Sequence, residues 1–248
     1  MLVIRREQMQ EFERADAPYF EERTVKRLKN AFPKHAAILG DEGLHAVVKC
    51  AVGQAAQYGM RQQGGAGLFA DLLILLGRSF DQDPQLPWAS QVLKDTGIAS
   101  EQARAQRLHA AAMTYLDRVC GPDGKFIQAA IQRLREEPLQ APALLTEYET
   151  FALVRLRAVW PQKFEYLTEA GTRHLIEHAG KVAGGYGIDN LSGRLLILGL
   201  MYILGGGFDQ DPMVPWAGNI LRGAGQFDST AARLAALYRK ALEYSKLW

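Results

Sequence analysis

Ten residues constrain this chain more than any others. Phe80–Ala89 reads FDQDPQLPWA, and Phe208–Ala217 reads FDQDPMVPWA, 128 residues later. Sliding the whole sequence by the same 128 aligns Phe20–Cys120 with Tyr148–Trp248 without a gap, with 26 identities over 101 positions. The identities include Arg27/Arg155, Pro33/Pro161, Gly43/Gly171, Tyr58/Tyr186, Gly59/Gly187, Gly65/Gly193, Leu72/Leu200, Gly77/Gly205, Leu93/Leu221 and Gly97/Gly225. Loops normally tolerate insertions, so a gap-free match predicts that the connections are constrained as well as the elements. Two long units are too few for a solenoid. The expectation is a tandem duplication whose copies pack about a pseudo-twofold axis.

Each unit reads as about five helices. A first helix is expected over residues 18–31, opened by Pro18 in its first turn and closed before Pro33. Its counterpart runs from about Ala143 to Trp160. Leu44, Val47, Val48, Ala51, Ala55 and Tyr58 fall on one helical face, as do Leu175, Ile176, Ala179, Ala183 and Tyr186. Gly59 and Gly187 follow as stops. Leu68–Leu76 and Leu195–Leu204 are apolar nearly all round, which predicts helices buried at the centre of each unit. The phrase then leads into a short helix ending near Leu93 or Leu221, and a last helix fills about 100–118 and 228–247, capped by Ser100 or Asp228. The only extended pattern is at Leu2–Ile4. The expected organisation is an all-α chain: a repeat over 1–120, a connecting helix and linker over 121–142, and a second repeat over 143–248.

Within the phrase, each residue type suits a rigid corner between helices. Phe80 packs back on the core, Asp81 and Asp83 accept from backbone N–H groups, Pro84 and Pro87 fix φ where a helix start needs no donor, and Trp88 anchors the next helix. A recognition surface is the alternative. Asp81, Gln82, Asp83 and Trp88, with Asp209, Gln210, Asp211 and Trp216, would then present carboxylates and amides to a partner's Arg or Lys. The identical glutamines are the signal for it, because a solvent-facing spacer drifts. A calcium loop does not fit, since each D-x-D is followed by Pro and lacks the later Gly and Glu.

Composition excludes several classes. Net charge is +2, from 29 basic and 27 acidic residues spread evenly, so neither nucleic acid nor an anionic membrane is an expected partner. Five His and two Cys form no zinc spacing and no disulfide framework, and two unclustered cysteines suit a reducing cytoplasm. The first residues lack the apolar core of a signal peptide, and the ten-residue run Leu195–Leu204 falls short of the roughly 20 residues that span a bilayer.

Three catalytic patterns were weighed. His174–His178, HLIEH, matches the H-x-x-E-H of inverted zinc peptidases. Leu175, Ile176 and Ala179 define the core side, however, so His174, Glu177 and His178 are expected to face solvent. The glycine runs at 62–67 and 204–208 follow no strand and carry no Lys-Ser/Thr, so they are not phosphate loops. Cys50 has no identifiable base beside it and is expected to be structural. No catalytic residue, metal ligand or cofactor site is assigned.

The series FEERTVKRLKNAFP, LGDEGL, YG, LLG, FDQDP and PWA, best over Phe20–Leu93 and touching Tyr148–Leu221, resembles a family of helical proteins encoded beside the spike, PAAR-tip and effector genes of bacterial type VI secretion loci. The resemblance implies a non-catalytic cytoplasmic accessory protein: a chaperone, co-chaperone or loading adaptor bound to an effector or an effector–chaperone complex. An immunity protein that neutralises a toxin is the alternative, and a metal-dependent hydrolase using the Asp pairs or His174 and His178 is the third reading.

Overall fold

The structure, a computed structural model, describes residues 6–136, 147–223 and 226–247, with side chains from 19 to 246. All the regular structure among these is helical. In order, the helices are α1 (Arg6–Ala31), α2 (Pro33–Gln57), α3 (Gln63–Leu76), α4 (Pro87–Lys94), α5 (Glu101–Val119), α6 (Lys125–Glu136), α7 (Tyr148–Val159), α8 (Pro161–Gly185), α9 (Leu191–Leu204), α10 (Pro215–Arg222) and α11 (Thr230–Tyr244). None is long and apolar enough to cross a membrane. The extended pattern at Leu2–Ile4 and the expected helix start at Ala143 lie outside the described residues.

The starts and stops follow the punctuation. Pro33, Pro161, Pro87 and Pro215 each occupy the first turn of a helix, where a missing N–H is harmless. Gly59 and Gly187, just past the C-caps of α2 and α8, take φ of +73° and +66°. One expected start is wrong: α1 begins at Arg6, not at Pro18. Ahead of Pro18 the sequence is dominated by Glu, Gln, Met, Arg and Ala, strong helix formers that carry the helix back about three further turns.

The stripes Leu44, Val47, Val48, Ala51, Ala55 and Leu175, Ile176, Ala179, Ala183 are all buried, and α3 and α9 sit at the centre of one continuous core. Helix α2 is bent at Gly40 (φ 61°, ψ −175°) and α8 at Thr168 (φ 64°, ψ 169°), again 128 residues apart. Glycine adopts that conformation freely; threonine is strained by it. Behind the face Leu175–Ala179, His174 is exposed and Glu177 pairs with Lys181 at 2.7 Å, as expected of a solvated side, while His178 is half-buried at its edge.

The step of 128 fails in one place. Helix α11 is capped by Ser229, which accepts from Ala232 N, and not by Asp228; α5 is capped by Ser100, which accepts from Ala103 N. Ser100 to Ser229 is a step of 129. The same step relates Arg104 to Arg233, whose guanidiniums cap the carbonyls of Leu93 and Leu221, and relates the fully buried Leu108 to Leu237. It also relates Tyr115, beside Trp88, to Tyr244, beside Trp216. The loop before α11 is therefore one residue longer than the loop before α5, and the gap-free expectation is corrected there. At a step of 128 the last helices share only Ala103/Ala231, so their true register was hidden.

Candidate functional site

The two phrases meet. Helix α3 ends at Gly77 (φ +88°) and α9 at Gly205 (φ +99°), and the two ends abut. A Cβ on Gly77 would lie 2.6 Å from the carbonyl oxygen of Leu204, and one on Gly205 would lie 3.0 Å from that of Leu76. Glycine is required at both for closeness as well as for φ.

Past each glycine the chain leaves backbone N–H groups in a buried loop, and the second aspartate of the opposite phrase accepts from them. Gly206 N–H donates to Asp83 Oδ2 at 2.6 Å, and Arg78 N–H donates to Asp211 Oδ2 at 2.7 Å. The other oxygen of each carboxylate holds its own turn, accepting from Gln85 N (2.9 Å) or Met213 N (2.8 Å). The first aspartate stays at home. Tyr58 donates its hydroxyl to Asp81 Oδ2 and Tyr186 donates to Asp209 Oδ2, both at 2.8 Å. Each phrase thus secures its own corner with both aspartates and the facing helix end with the second. Phe80 and Phe208 close the floor, buried to 1% exposure or less.

Burial sets the electrostatics. Asp211 is pushed up to about 6 by desolvation, opposed by its N–H bonds from Met213 and Arg78. Tyr58 and Tyr186 are pushed up to about 12, first by burial and then by donating to a carboxylate. Behind the corner, Lys163 is buried. Its Nζ donates to the Tyr202 carbonyl at 2.5 Å and lies over the rings of Trp160 and Tyr202, and desolvation pulls its pKa down to about 8.

The eight residues singled out from the sequence divide accordingly. Asp81, Asp83, Asp209 and Asp211 are 2–6% exposed, and Trp88 is 9% exposed. They are turned inward and engaged, so the expectation that they offer carboxylates to a partner is corrected: the loop's own N–H groups and tyrosines consume them. Gln82, Gln210 and Trp216 reach the surface. Gln82 and Gln210 come from opposite phrases into one polar cleft of about 420 Å3, with Lys49, Gln54 and Arg78. The Arg78 guanidinium bridges it by donating to the Gln210 carbonyl at 2.8 Å. Cys50, also at this cleft, has its thiol pKa raised by burial.

Trp216 opens onto a different surface. It lines an apolar groove of about 340 Å3 between α6, α9, α10 and α11, with Leu196, Leu200, Ile203, Leu234 and Leu242. Sequence reasoning missed this groove. The apolar run of α9 predicts burial all round, whereas Leu196, Leu200 and Ile203 line the groove. Lys163 and Arg233, both buried, were missed as well; Arg233 donates to the Tyr186 carbonyl at 2.7 Å. A lysine or arginine in a helix normally signals solvent, and nothing local marks these two as exceptions.

Among the described residues no cluster of His, Cys, Asp or Glu is arranged to hold a metal ion. Comparison with protein-family models, with curated protein sequences and with solved structures found no match to this chain.

Proposed function

We propose that the chain is a tandem duplication of one helical unit, with its copies packed about a pseudo-twofold axis between the two FDQDP corners, and that it works as a non-catalytic protein-binding module. The duplication is supported by helix bounds that recur at a step of 128 and by carboxylates that reach reciprocally into the facing corner. The corner chemistry then serves rigidity, and binding falls to the surfaces that the two units do not share.

The observation that carries the binding role is the groove around Trp216. Half-exposed Trp and Tyr on a leucine-rich floor are the residues that anchor protein interfaces, and the matching tryptophan, Trp88, is buried. The resemblance in sequence points to the partner: an effector, or an effector–chaperone complex, of a type VI secretion system, met in the bacterial cytoplasm.

Co-purification of the tagged chain from its host tests this. Ala235→Glu places a charge on an exposed position of the groove wall on a helix that tolerates it. The wild type is expected to retain a stoichiometric protein partner and Ala235→Glu to lose it while melting at an unchanged temperature. A wild type that purifies alone under gentle conditions, or a partner indifferent to the charge, refutes the reading.

A further inference from the structure

Between α7, α8 and the start of α9 lies another cleft, of about 680 Å3, lined by polar and charged groups that include Arg173, His174, Glu177, Lys181 and Arg194. Most of these charges satisfy one another. Arg173 is held by Glu149 and Glu169, and Lys181 by Glu177. Arg194 is different. The carboxylate it meets is the exposed Asp189, at 4.0 Å, and its Nε is buried with no hydrogen-bond partner.

Tyr148 lines the same cleft, is 8% exposed, and has a buried phenolic oxygen that is also unpartnered. Native proteins pair nearly all buried polar atoms, so two orphans on one wall call for an explanation. They are neighbours: Arg194 acts on the Tyr148 phenol, pulling its pKa down against the burial that raises it to about 12.

The fold does not require either group. At the positions 128 residues earlier stand Phe20 and Ala66, 8% and 6% exposed, which fill the same places without a polar atom. Val52 stands where this cleft has Gly180, and a Cβ on Gly180 would meet nothing within 4 Å. The second unit has thus gained a hydroxyl and a guanidinium beside a widened opening. This comparison rests on the proposed duplication; the two orphaned atoms do not.

We infer that this cleft binds a small oxyanion, a carboxylate or phosphate group, with the Arg194 Nε–H and the Tyr148 O–H as its donors. The Arg194 Nε–H can only donate and the Tyr148 hydroxyl can donate, so one acceptor satisfies both at once. Of the charged residues that line the cleft, Glu149 and Glu177 balance Arg173 and Lys181, which leaves Arg194 as the cation in excess. The site lies on a different surface from the Trp216 groove and does not depend on a protein partner.

The test is titration of the purified full chain with sodium phosphate and, separately, with sodium succinate. Melting temperature and heat of binding are read against sodium chloride at matched ionic strength. At least one anion is expected to give a saturable response, weakened at least tenfold in Arg194→Ala and in Tyr148→Phe. Each variant installs the residue that stands 128 positions earlier, and Tyr148→Phe removes a single oxygen, so it remains informative if Arg194→Ala folds poorly. A response to phosphate alone identifies a phosphoryl ligand, and a response to succinate alone identifies a carboxylate. If neither anion exceeds chloride, or if both variants bind as well as the wild type, the inference is overturned.

Discussion

Replacing Asp83 by alanine removes the carboxylate that joins the two corners from one side. Two buried backbone donors lose their acceptor: Gly206 N–H, 123 residues away, and Gln85 N–H in the same turn. The Gln85 amide keeps its bond to the Met201 carbonyl, so it is not counted. A buried donor left unsatisfied costs about 1–3 kcal/mol, so two cost about 4 kcal/mol together. For a chain of this size, about 2–4 °C per kcal/mol turns that into a fall of about 8–16 °C in melting temperature. Chemical denaturation followed by circular dichroism measures the free energy directly. Asp81→Ala is the internal control, because it strands only the hydroxyl of the half-buried Tyr58 and is expected to cost about 1 kcal/mol. Asp83→Ala and Asp211→Ala should also fall short of additive in the double mutant, since either one loosens the junction that the other secures. A loss below about 1 kcal/mol for Asp83→Ala, or strict additivity, would mean that the crossing carboxylates do not hold the halves together.

Other outcomes follow from the same geometry. Burial raises the Asp211 carboxyl from 3.8 to about 6, so the folded chain holds that proton more tightly than the unfolded one. Stability from this group is present below about pH 4 and is lost as pH rises through about 6, by something on the order of 3 kcal/mol. Unfolding free energies of wild type and Asp211→Asn, compared between pH 4 and 7, should therefore diverge, and parallel profiles would contradict the shift. Trp88→Ala should cost about 3–5 kcal/mol and Trp216→Ala only about 1–3 kcal/mol, because the second indole is half-exposed; equal losses in urea denaturation would place both in the core. Thr168→Gly should raise stability by about 1 kcal/mol, since an exposed threonine gives up a glycine-only conformation at the bend of α8; a lower melting temperature would show that the bend is unstrained.

The helical class, the buried face of α2 and α8, the proline starts and the glycine stops were legible in the sequence, because each depends on residues within a turn or two of one another. Side-chain periodicity, φ preference and missing donors act locally and do not need the fold to be expressed. The existence of two corresponding corners was legible for the same reason: FDQDP is turn chemistry twice over. What each aspartate does was not. Asp81 bonds a tyrosine 23 residues back, while Asp83 and Asp211 reach N–H groups more than 120 residues away. Those backbone donors come within reach only once α3 and α9 end against each other. The one-residue lengthening before α11 was not legible, because the longest identical stretch sets a register of 128 that the weakly matching helix beyond it does not contradict. Tyr148 and Arg194, 46 positions apart in the chain, face one cleft only because helix packing withdrew the Tyr148 oxygen and the Arg194 Nε from water without giving either atom a hydrogen-bond partner. Local order here is written in composition and spacing; the choice of what each polar group bonds belongs to the packing, because desolvation penalises a group only after the rest of the chain has closed around it.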